Sequence, residues 1–367
     1  MNAVTDTAGE IEPPSEQPLL EAATPLQHHK IYAALAGNPA DLGISPQFSQ
    51  VRAQFNVHTF QTLPSTSTKL WEMLAEGATA GTVVIAQQQT AGRGQRGRIW
   101  QSSPGGLYLS LALEPDWPVT HIAQLTCMSA WGIAIAFNNL GIPVKIKWPN
   151  DLFFEGKKLG GILTETKLSQ TSPASSVAKE GANFPSRERP PTVRQAVIGV
   201  GINWHNSTPE TATTLTKILE SLPGNSAKNK INCLEMLSAL VLKGILQGYL
   251  FQQQVSSQDF MKAYSILLTQ LGDVVSLDND LLNLVIDNND QLSKRLLDKG
   301  GELEKCSGEV VGISEEGYLK VALRDTSANP VNDLEKVSSS TLSSSSANRS
   351  LGCVTDILLI KPADAFV

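Results

Sequence analysis

The sequence predicts an α+β fold: a central mixed β-sheet flanked by helices over residues 51–268, followed by a smaller β-barrel-like unit. Three observations carry this. Leu107, Leu109, Leu111 and Leu113 alternate with Tyr108, Ser110 and Ala112, a strand pattern, because successive strand side chains point to opposite faces. Ile122–Leu140 is apolar around most of its circumference, which predicts a buried helix ended by Gly141. The order of strand and helix signals is neither strictly alternating nor strand-only, which favours one mixed sheet.

Residues 1–50 are rich in Ala, Pro, Glu, Gln and Ser with little periodicity, and read as a largely disordered extension with one short helix near His29–Leu35. Leu63-Pro64-Ser65-Thr66 then introduces a helical pattern through Leu70, Trp71 and Leu74, with Ser65 or Ser67 as N-cap and Gly77 as the stop. Thr82–Gln88 is β-rich. Val144, Ile146 and Trp148 alternate with Lys145 and Lys147 as another strand, and Leu159–Leu168 and Ala196–Ile202 complete the set. Leu234, Leu237, Val241 and Ile245 recur at helical spacing, and Asp259–Leu268 reads as a last short helix. Residues 269–367 hold the second unit, with short strands at Gly272–Leu277, Gly308–Ile313, Tyr318–Leu323 and Val354–Lys361. Residues 169–194, 281–304 and 325–351 read as insertions, since loops gain length at small free-energy cost.

Composition narrows the function classes. Apolar residues make up 41% of the 367, slightly below the globular norm, which fits a chain that is not packed throughout. A net charge of −6 supplies no global basic field for nucleic acid or an anionic membrane. Cys127, Cys233, Cys306 and Cys353 form no C-x-x-C pair, and the five His residues show no metal-ligand spacing, so no metal site is expected. No uninterrupted apolar run reaches the roughly 18–20 residues of a membrane span. The acidic N-terminus, with no Lys or Arg before Lys30, fits neither a secretory signal nor a transit peptide, so a cytoplasmic protein is the expectation.

Four segments carry chemistry. Gly92-Arg93-Gly94-Gln95-Arg96-Gly97-Arg98 combines backbone amides that can approach an anion with planar arginine donors. Alone it could equally be a flexible basic loop or an RNA-binding tract, but it lies between two strands, inside a folded core. Lys147-Trp148-Pro149-Asn150-Asp151 could be only a strand end and turn, and Lys157–Glu165 only a basic turn and a Gly-weakened strand. Gly199-Val200-Gly201 inside a strand means that something approaches the backbone closely, either a ligand or a packed helix. From Gly92 to Gly160 seven basic residues stand against four acidic ones, a local excess that suits phosphate or an acidic partner, or simply a solvated face.

In combination and order, Ser65-Thr66, Gly92–Arg98, Lys147–Asp151, Lys158–Leu163 and Gly199–Asn203 resemble the catalytic domain of the biotin protein ligases. The match is strong over about residues 60–206 and weaker toward Ile357–Pro362. The resemblance implies a class II synthetase-like catalytic domain followed by an SH3-like barrel, in a form without an N-terminal DNA-binding domain. It implies that biotin is activated with ATP and passed to a lysine of a biotin carboxyl carrier protein, such as the carrier subunit of acetyl-CoA carboxylase. By this resemblance Ser65, Thr66, Ser67, Gln89, Arg93, Gly94, Gln95 and Lys158 contact biotin. Arg96, Arg98, Trp100, Lys147, Asn150 and Asn203 face the adenylate or ATP. Lys158, Arg93 and Asp151 carry the chemistry. Mg²⁺ would accompany ATP on phosphate oxygens. Trp100 packs over the adenine or belongs to the core, and Asp151 orients the incoming lysine or caps a turn. Hydroxyls and an amide suit a ureido ring, which both donates and accepts.

Two positions depart from the family pattern: Ser67 stands where Asn is usual, and Gln95 where many members have Arg. With one cation fewer on the loop, the intermediate should be held less tightly. A lipoate or octanoate ligase is the neighbouring reading, which Lys147–Asp151 and the full Gly-Arg loop disfavour. A biotin-responsive repressor would need a patterned tri-helical module that the acidic, Pro-rich residues 1–50 do not offer. A non-catalytic biotin binder would have no need of Lys158 and the loop arginines. An exposed sheet edge would allow a homodimer or carrier docking.

Overall fold

The computed structural model describes residues 26–169, 191–222, 224, 227–276, 307–323 and 357–360. Most of the 169–194, 281–304 and 325–351 insertions, including the whole of the last two, lie outside these residues.

In chain order the first domain runs α1 (His28–Ala36), β1 (Asn56–Leu63), α2 (Thr66–Ala75), β2 (Thr82–Gln89), β3 (Gly106–Leu113), β4 (Trp117–Pro118), α3 (Ile122–Asn139), β5 (Lys145–Lys147), β6 (Asp151–Phe154), β7 (Lys157–Leu168), β8 (Thr192–Asn203), α4 (Leu215–Ser221), α5 (Ala227–Lys230), α6 (Leu234–Gln254) and α7 (Ser257–Ser265). Its strands form one sheet in the order β1-β2-β3-β8-β7-β6-β5, with β4 pairing β8. The β1–β2 pair is parallel and the remaining pairs are antiparallel, which makes the sheet mixed.

The sheet buries both faces unequally. Val83, Ile85, Leu107, Leu109, Leu111, Ile198 and Ile202 join the large core with α1, α3 and α6. Val84, Ala112 and Val197 meet Leu70 and Leu74 of α2 in a small second core, with Phe60 and Leu63 of β1 packed against it. One helix cannot cover an eight-stranded face, so the surface beyond the start of α2 is left for a cavity.

α3 and α6 pack against each other through glycine. An added Cβ on Gly132 would collide with the Gly244 carbonyl and come 2.9 Å from the Gly248 nitrogen. Segments containing these helices, Val119–Asn139 and Leu234–Gln254, are each long and apolar enough to cross a bilayer by length and composition, contrary to the sequence expectation. Their apolarity is spent on the core, since 78% and 56% of the respective windows are buried.

Residues 26–50 correct the expectation of a largely disordered extension. The short helix is present as α1, and Ile31, Ala34, Leu42, Ile44 and Phe48 are buried on the large core. Ser45 donates to Gln247 Oε1 at 3.2 Å, and Asn139 donates to the Gly43 carbonyl at 2.9 Å. These contacts fall on α1 and two single 3₁₀ turns, so no one period betrays them in the sequence.

The second unit contains β9 (Val274–Ser276), β10 (Ser307–Ile313), β11 (Leu319–Leu323) and β12 (Ile357–Ile360). Among the described residues these form a four-stranded antiparallel sheet, ordered β12-β11-β10-β9, rather than a closed barrel. Trp148 ties it to the first domain by donating its indole N–H to Gly317 O at 3.0 Å.

Candidate active site

The Gly-Arg segment leaves the end of β2 and folds back on itself. Trp100 N donates to Gly92 O at 2.9 Å, Gly94 N to Arg98 O at 2.7 Å, and Arg93 bridges Ile99 in antiparallel fashion. Arg96 (φ 57°) and Gly97 (φ 67°) turn the tip in the left-handed region. Gly92 is required by space: an added Cβ would sit 2.5 Å from both Ser102 Oγ and Trp100 O.

The start of α2 forms one end of a cavity of about 170 Å³. Ser65 caps the helix by accepting from Thr68 N, whereas Ser67 lies inside it. Gln89 Oε1 accepts from Thr66 N at 2.8 Å and from Thr66 Oγ1 at 3.2 Å, while its Nε2 donates to Ser102 Oγ at 2.9 Å. Thr66 Oγ1 and Ser67 Oγ lie 2.8 and 3.1 Å from Ser110 Oγ on β3. Ser65, Thr66 and Ser67 are all buried; the Thr66 and Ser67 hydroxyls share a network through Ser110, while the Ser65 hydroxyl caps α2.

Strands β7 and β8 supply the wall, and glycine makes it shallow. An added Cβ on Gly201 would stand 2.5 Å from Trp100 Nε1, one on Gly199 2.9 Å from Ser67 Oγ, and one on Gly161 3.1 Å from Asp151 Oδ1. The close neighbours implied by the Gly-x-Gly pattern are therefore the Trp100 indole and the first turn of α2. The Trp100 indole N–H is buried with no hydrogen-bond partner in the fold.

Charge gathers at the rim. Lys158 Nζ lies 2.7 Å from Asp151 Oδ1 and 5.2 Å from the centre of the Trp100 ring. Arg93 donates from NH2 to Glu165 Oε2 at 2.8 Å. Asn150 Nδ2 donates to Ile162 O at 2.6 Å, which holds the turn before β6 against β7. Beneath that turn Tyr264 donates to Pro149 O at 2.8 Å. Burial keeps its phenol far above the usual range, so it remains a neutral donor. Burial also pushes the nearby Cys127 thiol up to about 12, which makes it a poor nucleophile.

Of the sequence-predicted residues, Ser65, Thr66, Ser67, Gln89, Arg93, Gly94, Gln95, Arg98, Trp100, Asn150, Asp151 and Lys158 line this one cavity. Arg96, Lys147 and Asn203 do not line it. Lys147 Nζ lies over the Phe153 ring of β6, 5.6 Å from its centre, and the buried Asn203 accepts from Asn206 at 3.1 Å. Asp151 is paired through Oδ1 with Lys158 Nζ, a contact that the sequence reading did not anticipate. Ile99, Ile162, Leu163 and Val200 also line the cavity but were given no site role in sequence. An apolar strand residue gives no local sign of which face a ligand would meet.

A model of the biotin/lipoate A/B protein ligase family matches residues 59–178. The chain is 34% identical over 182 residues to the bifunctional ligase/repressor BirA of Bacillus subtilis, covering 49% of this chain and 50% of that protein. It is 31% identical over 136 residues to the biotin–[acetyl-CoA-carboxylase] ligase of Paracoccus denitrificans, covering 35% and 47%. The chain thus spans about half the length of these curated relatives. Among solved structures, the biotin protein ligase from Aquifex aeolicus in complex with biotin and ATP overlaps with a TM-score of 0.47 at 24% identity, over 73% of this chain and 91% of that one. Over residues 59–178 the chain is thus similar to the biotin/lipoate A/B protein ligase family, and the curated relatives it resembles are biotin ligases.

Proposed function

We propose that this chain activates biotin with ATP to biotinyl-5′-AMP and transfers biotin to a lysine of a biotin carboxyl carrier protein. The observation that carries this reading is a single cavity with three kinds of lining. It has hydroxyls and an amide at the start of α2, apolar Ile162, Leu163 and Val200 on β7 and β8, and cations at the rim. The ureido ring of biotin needs both donors and acceptors, its valeryl chain needs apolar wall, and its carboxylate needs a cation.

In the first step a biotin carboxylate oxygen attacks the α-phosphorus of ATP and the bond to pyrophosphate breaks. Lys158, a compact cation, steadies the carboxylate and then the charge that develops on the α-phosphate. Asp151 orients the ammonium from 2.7 Å. Arg93 and Arg98 present planar donors at the rim. In the second step the carrier lysine attacks the acyl carbon of the mixed anhydride and AMP leaves. Neither step needs an enzyme nucleophile, and the buried Cys127 offers none. The loop Gly92–Arg98 lies where it can shield the anhydride from water.

Mg²⁺ enters as part of the ATP substrate. Among the described residues no group of three or more His, Cys, Asp and Glu side chains could hold a metal. The two carboxylates beside the cavity, Asp151 and Glu165, are each paired with a cation. In this reading the ion is held mainly by the ATP phosphate oxygens. The small C-terminal sheet is read as part of an SH3-like barrel, and the exposed sheet edge as a surface for a second copy or the carrier.

The test is pyrophosphate exchange into ATP with purified protein. Exchange that requires biotin and is absent with lipoate supports the reading; exchange with lipoate alone would replace it with the neighbouring one.

A further inference from the structure

Glu165 ends the Lys157–Glu165 segment with no role assigned to it in sequence, and it does not line the cavity, yet it faces it. Along β7, alternation places Gly161, Leu163 and Glu165 on the same side of the sheet, and Gly161 and Leu163 both line the cavity. The Glu165 side chain is only 12% exposed, and Arg93 meets it from 72 residues away in sequence, NH2 to Oε2 at 2.8 Å. A solvent-exposed ion pair would contribute little. This carboxylate is mostly withdrawn from water, so separating it from Arg93 would leave a poorly solvated charge without its partner.

The guanidinium has five N–H donors in a rigid fork. Its contact with Glu165 is made through one nitrogen and one oxygen, so donors remain for another anion. Arg93 can then serve a ligand without leaving Glu165.

We propose that Glu165 is a positioning residue: it pins the Gly-Arg loop to β7 through Arg93 and aims the remaining guanidinium donors at the carboxylate or phosphate of the ligand. This rests on the function proposed above for the same cavity.

The experiment pairs two readouts in Glu165→Ala, Glu165→Gln, Arg93→Ala and the Arg93→Ala/Glu165→Ala double variant. The first is biotin-dependent pyrophosphate exchange. The expected result for Glu165→Ala is a KM for biotin raised about tenfold with kcat changed less than about threefold. Glu165→Gln, which keeps an acceptor, should show a smaller rise. The double variant should be no worse than Arg93→Ala alone, because the two residues act as a unit. The second readout is the rate of tryptic nicking at Arg93, Arg96 and Arg98 in the full chain, which depends on loop anchoring and not on which substrate is bound. Glu165→Ala should be nicked faster at Arg96 and Arg98. A wild-type chain with no biotin-dependent exchange but with faster nicking in Glu165→Ala would sink the proposed function while supporting the loop anchor. Wild-type KM and wild-type nicking in Glu165→Ala, or losses that multiply in the double variant, would overturn the inference.

Discussion

Replacing Gly201 with alanine isolates what the Gly-x-Gly pattern on β8 is for. The new Cβ would lie 2.5 Å from Trp100 Nε1 and 2.6 Å from Cε2. Non-bonded heavy atoms rest at about 3.5 Å, so the indole must retreat by about 1 Å. The backbone at Gly201 is not in the left-handed region, so the whole effect is displacement of the ring. Overpacking of this kind costs about 1–3 kcal/mol. The displaced ring is the one that Lys158 faces at 5.2 Å, so catalysis should suffer as well, by about ten- to a hundredfold in kcat/KM. Thermal melting and biotin-dependent pyrophosphate exchange read the two effects separately. Because the defect is a collision, Trp100→Phe should absorb part of it, and the double variant should melt higher than the two single losses predict. A Gly201→Ala protein with wild-type melting and exchange, or strictly additive losses with Trp100→Phe, would refute this account of the wall.

Three further outcomes follow from the fold and the site. Gln95 lines the cavity, so Gln95→Arg should add a cation there and lower the release of biotinyl-adenylate severalfold in a trapping assay; a variant releasing no less would sink the idea of a leaky loop. Gly248→Val should destabilise by about 3 kcal/mol in urea melts, because its side chain would collide with the Met128 carbonyl where α3 and α6 cross; an unchanged midpoint would contradict the packing. Cys127 is held from an ordinary 9.0 up to about 12, so the unfolded chain loses this proton first and stability, intact below about pH 9, should fall by about 4 kcal/mol as pH rises toward 12. Urea melts of Cys127→Ala should show a flatter decline; an identical one would place the alkaline loss elsewhere.

The fold was legible wherever one residue period ran long enough. The alternating leucines of β3 and the apolar circumference of α3 marked both elements nearly to their ends. The segment at 26–50 escaped because its buried side chains are spread over one short helix and two single turns, each below the length at which periodicity speaks. The second unit was legible as short strands, whereas the barrel expected from them is not shown: the described strands form a four-stranded antiparallel sheet. In the site, the hydroxyls, Gln89, Lys158 and most of the Gly-Arg loop were legible through the resemblance to a known family, and the fold gathers them around one cavity. The three residues that do not line the cavity, Arg96, Lys147 and Asn203, sit inside motifs whose spacing alone cannot say which way a side chain turns. Glu165 was silent for the opposite reason: an acidic residue near a strand end looks like solvent-facing charge until its partner, 72 positions away, is seen. That Asp151 pairs with Lys158 was likewise visible only in three dimensions.

The central claim is that this cavity joins biotin to AMP and hands biotin to a protein lysine. The most direct test is to incubate the purified chain with labelled biotin, ATP, Mg²⁺ and a biotin carboxyl carrier domain, alongside Lys158→Ala and a carrier lacking its acceptor lysine. The account predicts ATP-dependent label on the carrier with the wild-type chain, and label lost with either substitution. Labelling that persists without ATP or without Lys158, or a wild-type chain that binds biotin but never labels the carrier, would contradict it.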